Sequence, residues 1–169
     1  YQGDVRDILN DGWDMLIAHP PCQYLATSGA RWMKDPHRQK KQRDALLFVQ
    51  LLMYANIPKI CIENPISVIS SQIRKPDQII QPYMFGDSAR KTTCLWLKNL
   101  PQLRPTNIVD EGEIHTTKSG KRIPAWYNLP PSPNRSKQRS RTFEGIANAM
   151  ASQWSVKLLT QMTMFKGRI

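Results

Sequence analysis

Apolar residues fall in short continuous runs early in the chain and at helical intervals farther along. Met15, Leu16, Ile17 and Ala18 form an uninterrupted run entered from Asn10-Asp11-Gly12 and left through Pro20-Pro21, the pattern of a buried strand bounded by turns. Between Asp35-Pro36 and Ile57-Pro58, Leu46, Val49, Leu52 and Met53 recur at helical spacing behind a basic first half holding Lys40, Lys41 and Arg43. That spacing predicts an amphipathic helix. Lys59-Ile60-Cys61-Ile62-Glu63 follows as a β-branched run closed by Asn64-Pro65. Strand, helix and strand in this order make a βαβ unit, which requires a parallel strand pair and places the chain in the α/β class.

Farther on, residues 81–86 read as a loop containing aromatics, and Thr92-Thr93-Cys94-Leu95-Trp96-Leu97 reads as another strand ended by Asn99-Leu100-Pro101. No period holds over 105–140. There Pro124, Pro130, Pro131 and Pro133 stand among Lys118, Lys121, Arg122 and Arg135, a basic loop or lid. Over 142–159, Phe143, Ile146, Met150, Trp154 and Leu158 return at helical intervals and predict a closing helix packed on the sheet. The expectation is one domain over residues 1–169 with a mainly parallel sheet.

Composition adds a partner class. With 169 residues, 40% of them hydrophobic and 22% charged, the chain is long enough to bury a core and is not of disordered type. Its 24 Lys and Arg against 13 Asp and Glu give a net charge of +11, which favours a polyanion, nucleic acid before membrane. A basic surface that serves only solubility is the duller alternative. Three cysteines, Cys22, Cys61 and Cys94, are odd in number and widely spaced, the pattern of neither a disulfide framework nor a zinc site. His19, His37 and His115 lack metal-site spacing. No run approaches the ~20 apolar residues of a membrane span and no charged-then-apolar leader opens the chain, so a reducing, cytoplasmic setting is expected.

Candidate chemistry gathers where the first two strands end, since neighbouring strands of an open α/β sheet collect reactive groups at their carboxyl ends. Cys22, in Pro20-Pro21-Cys22-Gln23, is a candidate nucleophile in its thiolate form, which backbone donors of the turn or nearby positive charge favour. An isolated cysteine is more often a small buried apolar side chain, and it is the Pro-Pro-Cys-Gln setting after a strand that turns the reading toward a nucleophile. Glu63 closes an apolar strand, where a carboxylate must be hydrogen-bonded or hold its proton, and a proton held there suits general-acid work. A plain surface carboxylate is the other reading. Arg90 and Lys91 precede the third run and could hold an anionic or carbonyl oxygen at the same sheet end, or be solvated loop charges. Arg135, Lys137 and Arg139 interleave charge with polar residues as phosphate-contacting segments do.

Taken together, Gly3-Asp4-Val5, Pro20-Pro21-Cys22-Gln23 and Glu63-Asn64-Pro65 resemble, in order and spacing, the DNA (cytosine-5)-methyltransferase family, particularly its small phage- and prophage-encoded members. Pro65 stands where that family usually has Val, and His19 where it usually has a small residue. The resemblance implies a Rossmann-like S-adenosylmethionine-dependent methyltransferase sheet, mainly parallel with helices on both faces. It makes Cys22 the nucleophile that adds to C6 of a cytosine flipped out of double-stranded DNA, Glu63 the acid at N3, and Arg90 the contact to the base carbonyl. Pro21, Gln23, Asn64 and Lys91 would shape the substrate pocket. Asp4, Val5, Pro20 and Asn148, the last in a segment similar to the family's Ile-Gly-Asn-Ala-Val, would lie at S-adenosylmethionine. The family's Gly-rich cofactor loop would precede Tyr1, so an N-terminally incomplete cofactor site is expected. Two further readings stay open: a non-catalytic DNA-binding remnant of that fold, and a related pyrimidine-modifying enzyme acting on nucleotides.

Overall fold

A computed structural model describes residues 1–32, 34–135 and 143–155. The chain forms two compact units, the first made of Tyr1–Ile80 with Thr92–Gln102, the second of Gln81–Lys91 with the described residues beyond 102.

In the first unit, β1 (Met15–Ala18) and β2 (Lys59–Asn64) are joined through α1 (Pro36–Met53). Asp35 starts α1 by accepting the His37 backbone N–H at 3.0 Å, and Pro36 occupies the first turn, where its missing N–H costs nothing. The helix buries Val49, Leu52 and Met53, as its spacing predicts. These side chains join Ile60, Ile62, Cys94, Trp96, Leu25 and Ile69 in one core. Alternation along β2 turns Ile60, Ile62 and Asn64 to one face and Cys61 and Glu63 to the other. The four-residue helix α2 (Ile69–Gln72) follows β2, and the short strand β3 (Gln78–Ile80) and β4 (Thr93–Lys98) complete the sheet.

The strand order is β1-β2-β4-β3. β1 and β2 pair in parallel from Met15↔Lys59 to Ala18↔Ile62, as the βαβ pattern requires. The rest of the sheet corrects the sequence expectation. β4 runs antiparallel to β2, from Ile60↔Lys98 to Asn64↔Cys94, and antiparallel to β3. This is therefore a mixed sheet with a single parallel pair, and not a mainly parallel Rossmann-like sheet with helices on both faces. The physical reason lies in the connections. A parallel neighbour needs a crossover of a dozen or more residues, usually a helix, and α1 is the only long helix among the described residues of this unit. β4 instead follows β3 and returns beside it, Ile80 opposite Thr93.

In the second unit, β5 (Ile114–Thr116) and β6 (Arg122–Pro124) form an antiparallel hairpin inside the stretch expected to be a basic loop. Gly120 at φ +78° lies in its turn. The closing helix α3 (Glu144–Ser155) buries Ile146, Ala149, Met150 and Trp154, matching the helical spacing, while Leu158 lies outside the described residues. Its start passes so close to Phe85 that a Cβ on Gly145 would sit 1.8 Å from the Phe85 carbonyl oxygen. The Gly145 N–H donates to Asp87 at 3.0 Å, which locks this approach.

Candidate functional site

The parallel register delivers two loops to one end of the first unit's sheet. Ala18 and Ile62 are the last residues paired between β1 and β2; His19 leaves β1 there while Glu63 continues in β2 opposite Leu95 of β4, and His19 Nδ1 lies 3.0 Å from Glu63 Oε2. With the carboxylate ionised, the imidazole donates from Nδ1. The next residue on β2, Asn64, is buried and donates its Nδ2 to the Pro20 carbonyl at 2.9 Å, fixing the start of the Pro-Pro-Cys segment to the strand.

Cys22 then opens a tight turn, its carbonyl accepting from the N–H groups of Leu25 at 3.0 Å and Ala26 at 2.9 Å. Leu25 is fully buried and roots this turn in the core. Complete burial of a leucine stabilises by roughly 2 to 3 kcal/mol. The loop is also laced to the chain that follows β2: Thr27 N–H donates to the Ile66 carbonyl at 3.2 Å and Val68 N–H to the Leu25 carbonyl at 2.9 Å, around an Ala26–Ser67 bridge. Cys22 is exposed and the Glu63 side chain keeps 19% of its surface accessible. An accessible thiol on the loop after β1 and a half-buried, hydrogen-bonded carboxylate near the end of β2 thus stand at one end of the sheet.

The other cysteines are structural. Burial, followed by the nearby charge of Glu63 and Asp77, pushes the Cys61 thiol up to about 12, and burial with Glu63 also raises Cys94. A thiolate is costly in such surroundings, so neither serves as a nucleophile at neutral pH. Asn64 Oδ1 and Ser67 Oγ are buried without a hydrogen-bond partner among the described residues.

The remaining sequence candidates divide between the units. Pro21 and Gln23 are exposed beside Cys22, and Pro20 is buried. Asp4 caps a short 3-10 turn and its carboxylate is held by Arg6, whose Nε lies 2.9 and 3.0 Å from the two oxygens. Those bonds hold the Asp4 carboxyl down to about 2. Val5 packs against the core. Asp4 is exposed and its oxygens keep acceptor capacity beyond the Arg6 contact, so it could still accept from a cofactor hydroxyl, whereas the Pro20 carbonyl is taken by Asn64. Arg90, Lys91, Arg135 and Asn148 belong to the second unit. Arg90 pairs with Glu111 at 2.7 Å, Lys91 lies 5.6 Å over the Phe143 ring, Arg135 is half-buried and Asn148 is exposed on α3. Lys137 and Arg139 lie outside the described residues.

Sequence reasoning assigned nothing to His19, whose partner is 44 residues away. The signal was present as its place directly after the parallel strand, level with Glu63. An open cleft of about 460 Å³ lies toward the opposite end of the sheet, lined in part by Met53, Ile60, Trp96 and Lys98. Its polar groups are already occupied: Lys98 Nζ donates to the Ala55 carbonyl, and Arg74 bonds Asp77 and the Leu97 carbonyl. Among the described residues no three His, Cys, Asp or Glu side chains are grouped to hold a metal, and no helix is long and apolar enough to cross a membrane. Compared with protein-family models, curated proteins and solved structures, the chain matches none.

Proposed function

We propose that this protein is a cytosine-modifying enzyme acting on double-stranded DNA, with Cys22 as nucleophile and Glu63 as acid, of the DNA (cytosine-5)-methyltransferase type. The observation that supports this reading is the register Ala18↔Ile62 with the Asn64–Pro20 bond, which puts Cys22, on the loop after β1, and Glu63, near the end of β2, at the same end of the sheet. The Cys22 thiolate forms a bond to C6 of a cytosine turned out of the duplex while Glu63 delivers a proton to N3. The electron pair of the C5–C6 double bond is then available at C5. After C5 has taken an electrophile, its own proton passes to water, the C5–H electron pair re-forms the C5–C6 double bond and expels the Cys22 thiolate, and the N3 proton returns to Glu63. His19 donates to Oε2, so the proton that Glu63 delivers is carried on Oε1, the oxygen left for the base. Pro21 and Gln23 border the thiol, and Asn64 keeps their loop on β2. The electrophile implied by the motifs is the methyl group of S-adenosylmethionine.

The first half of this chemistry is testable without a methyl donor, because a C5 carbanion equivalent also takes a proton from water. Genomic DNA carrying tritium at C5 of cytosine presents every sequence context. The expected result is release of tritium to water by the wild type, its loss in Cys22→Ser, and a fall of roughly a hundredfold or more in Glu63→Gln. Release that persists in Cys22→Ser, or no release by wild-type protein bound to that DNA, overturns the reading.

A further inference from the structure

We infer that the exposed basic half of α1 is the surface that holds the DNA phosphate backbone beside the Cys22 turn. This rests on the cytosine reading above and names the part of the molecule that grips its substrate. The turn and the helix are in direct contact: Gln42 Nε2 donates to the Tyr24 carbonyl at 2.9 Å, and the Arg38 guanidinium lies 5.5 Å over the Tyr24 ring. Tyr24 lies two residues beyond Cys22, within the turn closed by the Cys22 carbonyl. The first turns of α1 therefore border the Cys22 turn.

Those turns present uncompensated charge. Lys34, Lys40, Lys41 and Arg43 are exposed, and none is in an ion pair among the described residues. Asp35, whose carboxylate caps the helix, and the exposed Asp44 are the acids that flank this stretch. From Pro36 to Arg43 the helix rises about 10 Å at 1.5 Å per residue, close to the rise of three nucleotides of one strand. A net positive stretch of that length beside the Cys22 turn suits a row of phosphates. The second half of the same helix lacks this character and exposes Leu47, Leu51 and Tyr54 instead.

The test compares two doubly substituted proteins of equal net charge. Binding of a fluorescein-labelled duplex is followed by anisotropy over a salt series for wild type, for Lys40→Gln with Lys41→Gln, and for Lys59→Gln with Lys75→Gln, which lie away from the Cys22 turn. Each lost phosphate contact lowers the slope of log K against log salt by about 0.9. The α1 variant is expected to lose close to two in slope and roughly tenfold in affinity at low salt, with the second variant near wild type. An unchanged slope in the α1 variant, or equal losses in both, overturns the inference. Tritium release separates the two claims. Release by wild type with an unchanged α1 slope removes the surface and leaves the chemistry standing; a lowered α1 slope without release keeps the surface and removes the chemistry. If wild type neither binds duplex nor releases tritium, both fall.

Discussion

Cys22, Cys61 and Cys94 are the same chemical group in different solvents. Cys22 meets water, whereas Cys61 and Cys94 are 0% and 2% exposed. A chromogenic disulfide reagent at pH 8 should therefore react quickly with one thiol of the native protein and with the other two only after denaturant is added. Three fast thiols would remove the distinction on which the choice of Cys22 depends. Cys61 also makes stability depend on alkaline pH. Its value is about 12 in the fold against an ordinary 9.0, so above pH 9 the unfolded chain releases a proton that the folded chain retains. Stability from this group is intact below pH 9 and is lost as pH climbs toward 12. Cys61→Val should flatten that alkaline loss in denaturant midpoints measured from pH 8 to about 11.

At the scale of elements, α1 connects fold to site, because it supplies the crossover that makes β1 and β2 parallel and also braces the Cys22 turn. Its start depends on the Asp35 cap, and Asp35→Ala is expected to cost about 1 kcal/mol, read as a lower urea midpoint with unchanged slope. The elements legible in the sequence were those with enough residues to show a period: α1, with Val49, Leu52 and Met53 on one face, and the apolar runs of β1 and β2. The position of β4 was legible but its direction was not. A run such as Thr93–Lys98 carries no mark of polarity, which is set by β3, and three residues are too few to show alternation. The β5–β6 hairpin was hidden for the same reason, its strands being three residues each amid charge. The placement of Cys22 and Glu63 at one end of the sheet was legible because they stand just after and at the end of the two strands of one βαβ unit. His19 was not, since the contact with Glu63 depends on register.

For the whole molecule, charge acts on folding and on binding with opposite signs. The net charge of +11 leaves repulsion that few carboxylates offset, with four ion pairs among the described residues, one of them the His19–Glu63 contact. Added salt screens repulsion within the folded chain and weakens attraction to a polyanion. The thermal midpoint should rise as NaCl goes from about 50 to about 300 mM, while affinity for duplex DNA falls over the same range. A midpoint that drops with salt would mean that attractive pairs, and not repulsion, dominate the charge balance.

The lacing of the Cys22 loop to the segment after β2 has a consequence for timing. Because Leu25, Ala26 and Thr27 are bonded to Ile66, Ser67 and Val68, neither loop opens without breaking bonds to the other. Cys22 lies on the laced pair, whereas Glu63 is held in β2 opposite Leu95 of β4, so the lifetime of the closed loops sets how long the thiol keeps its place while the carboxylate stays with the sheet.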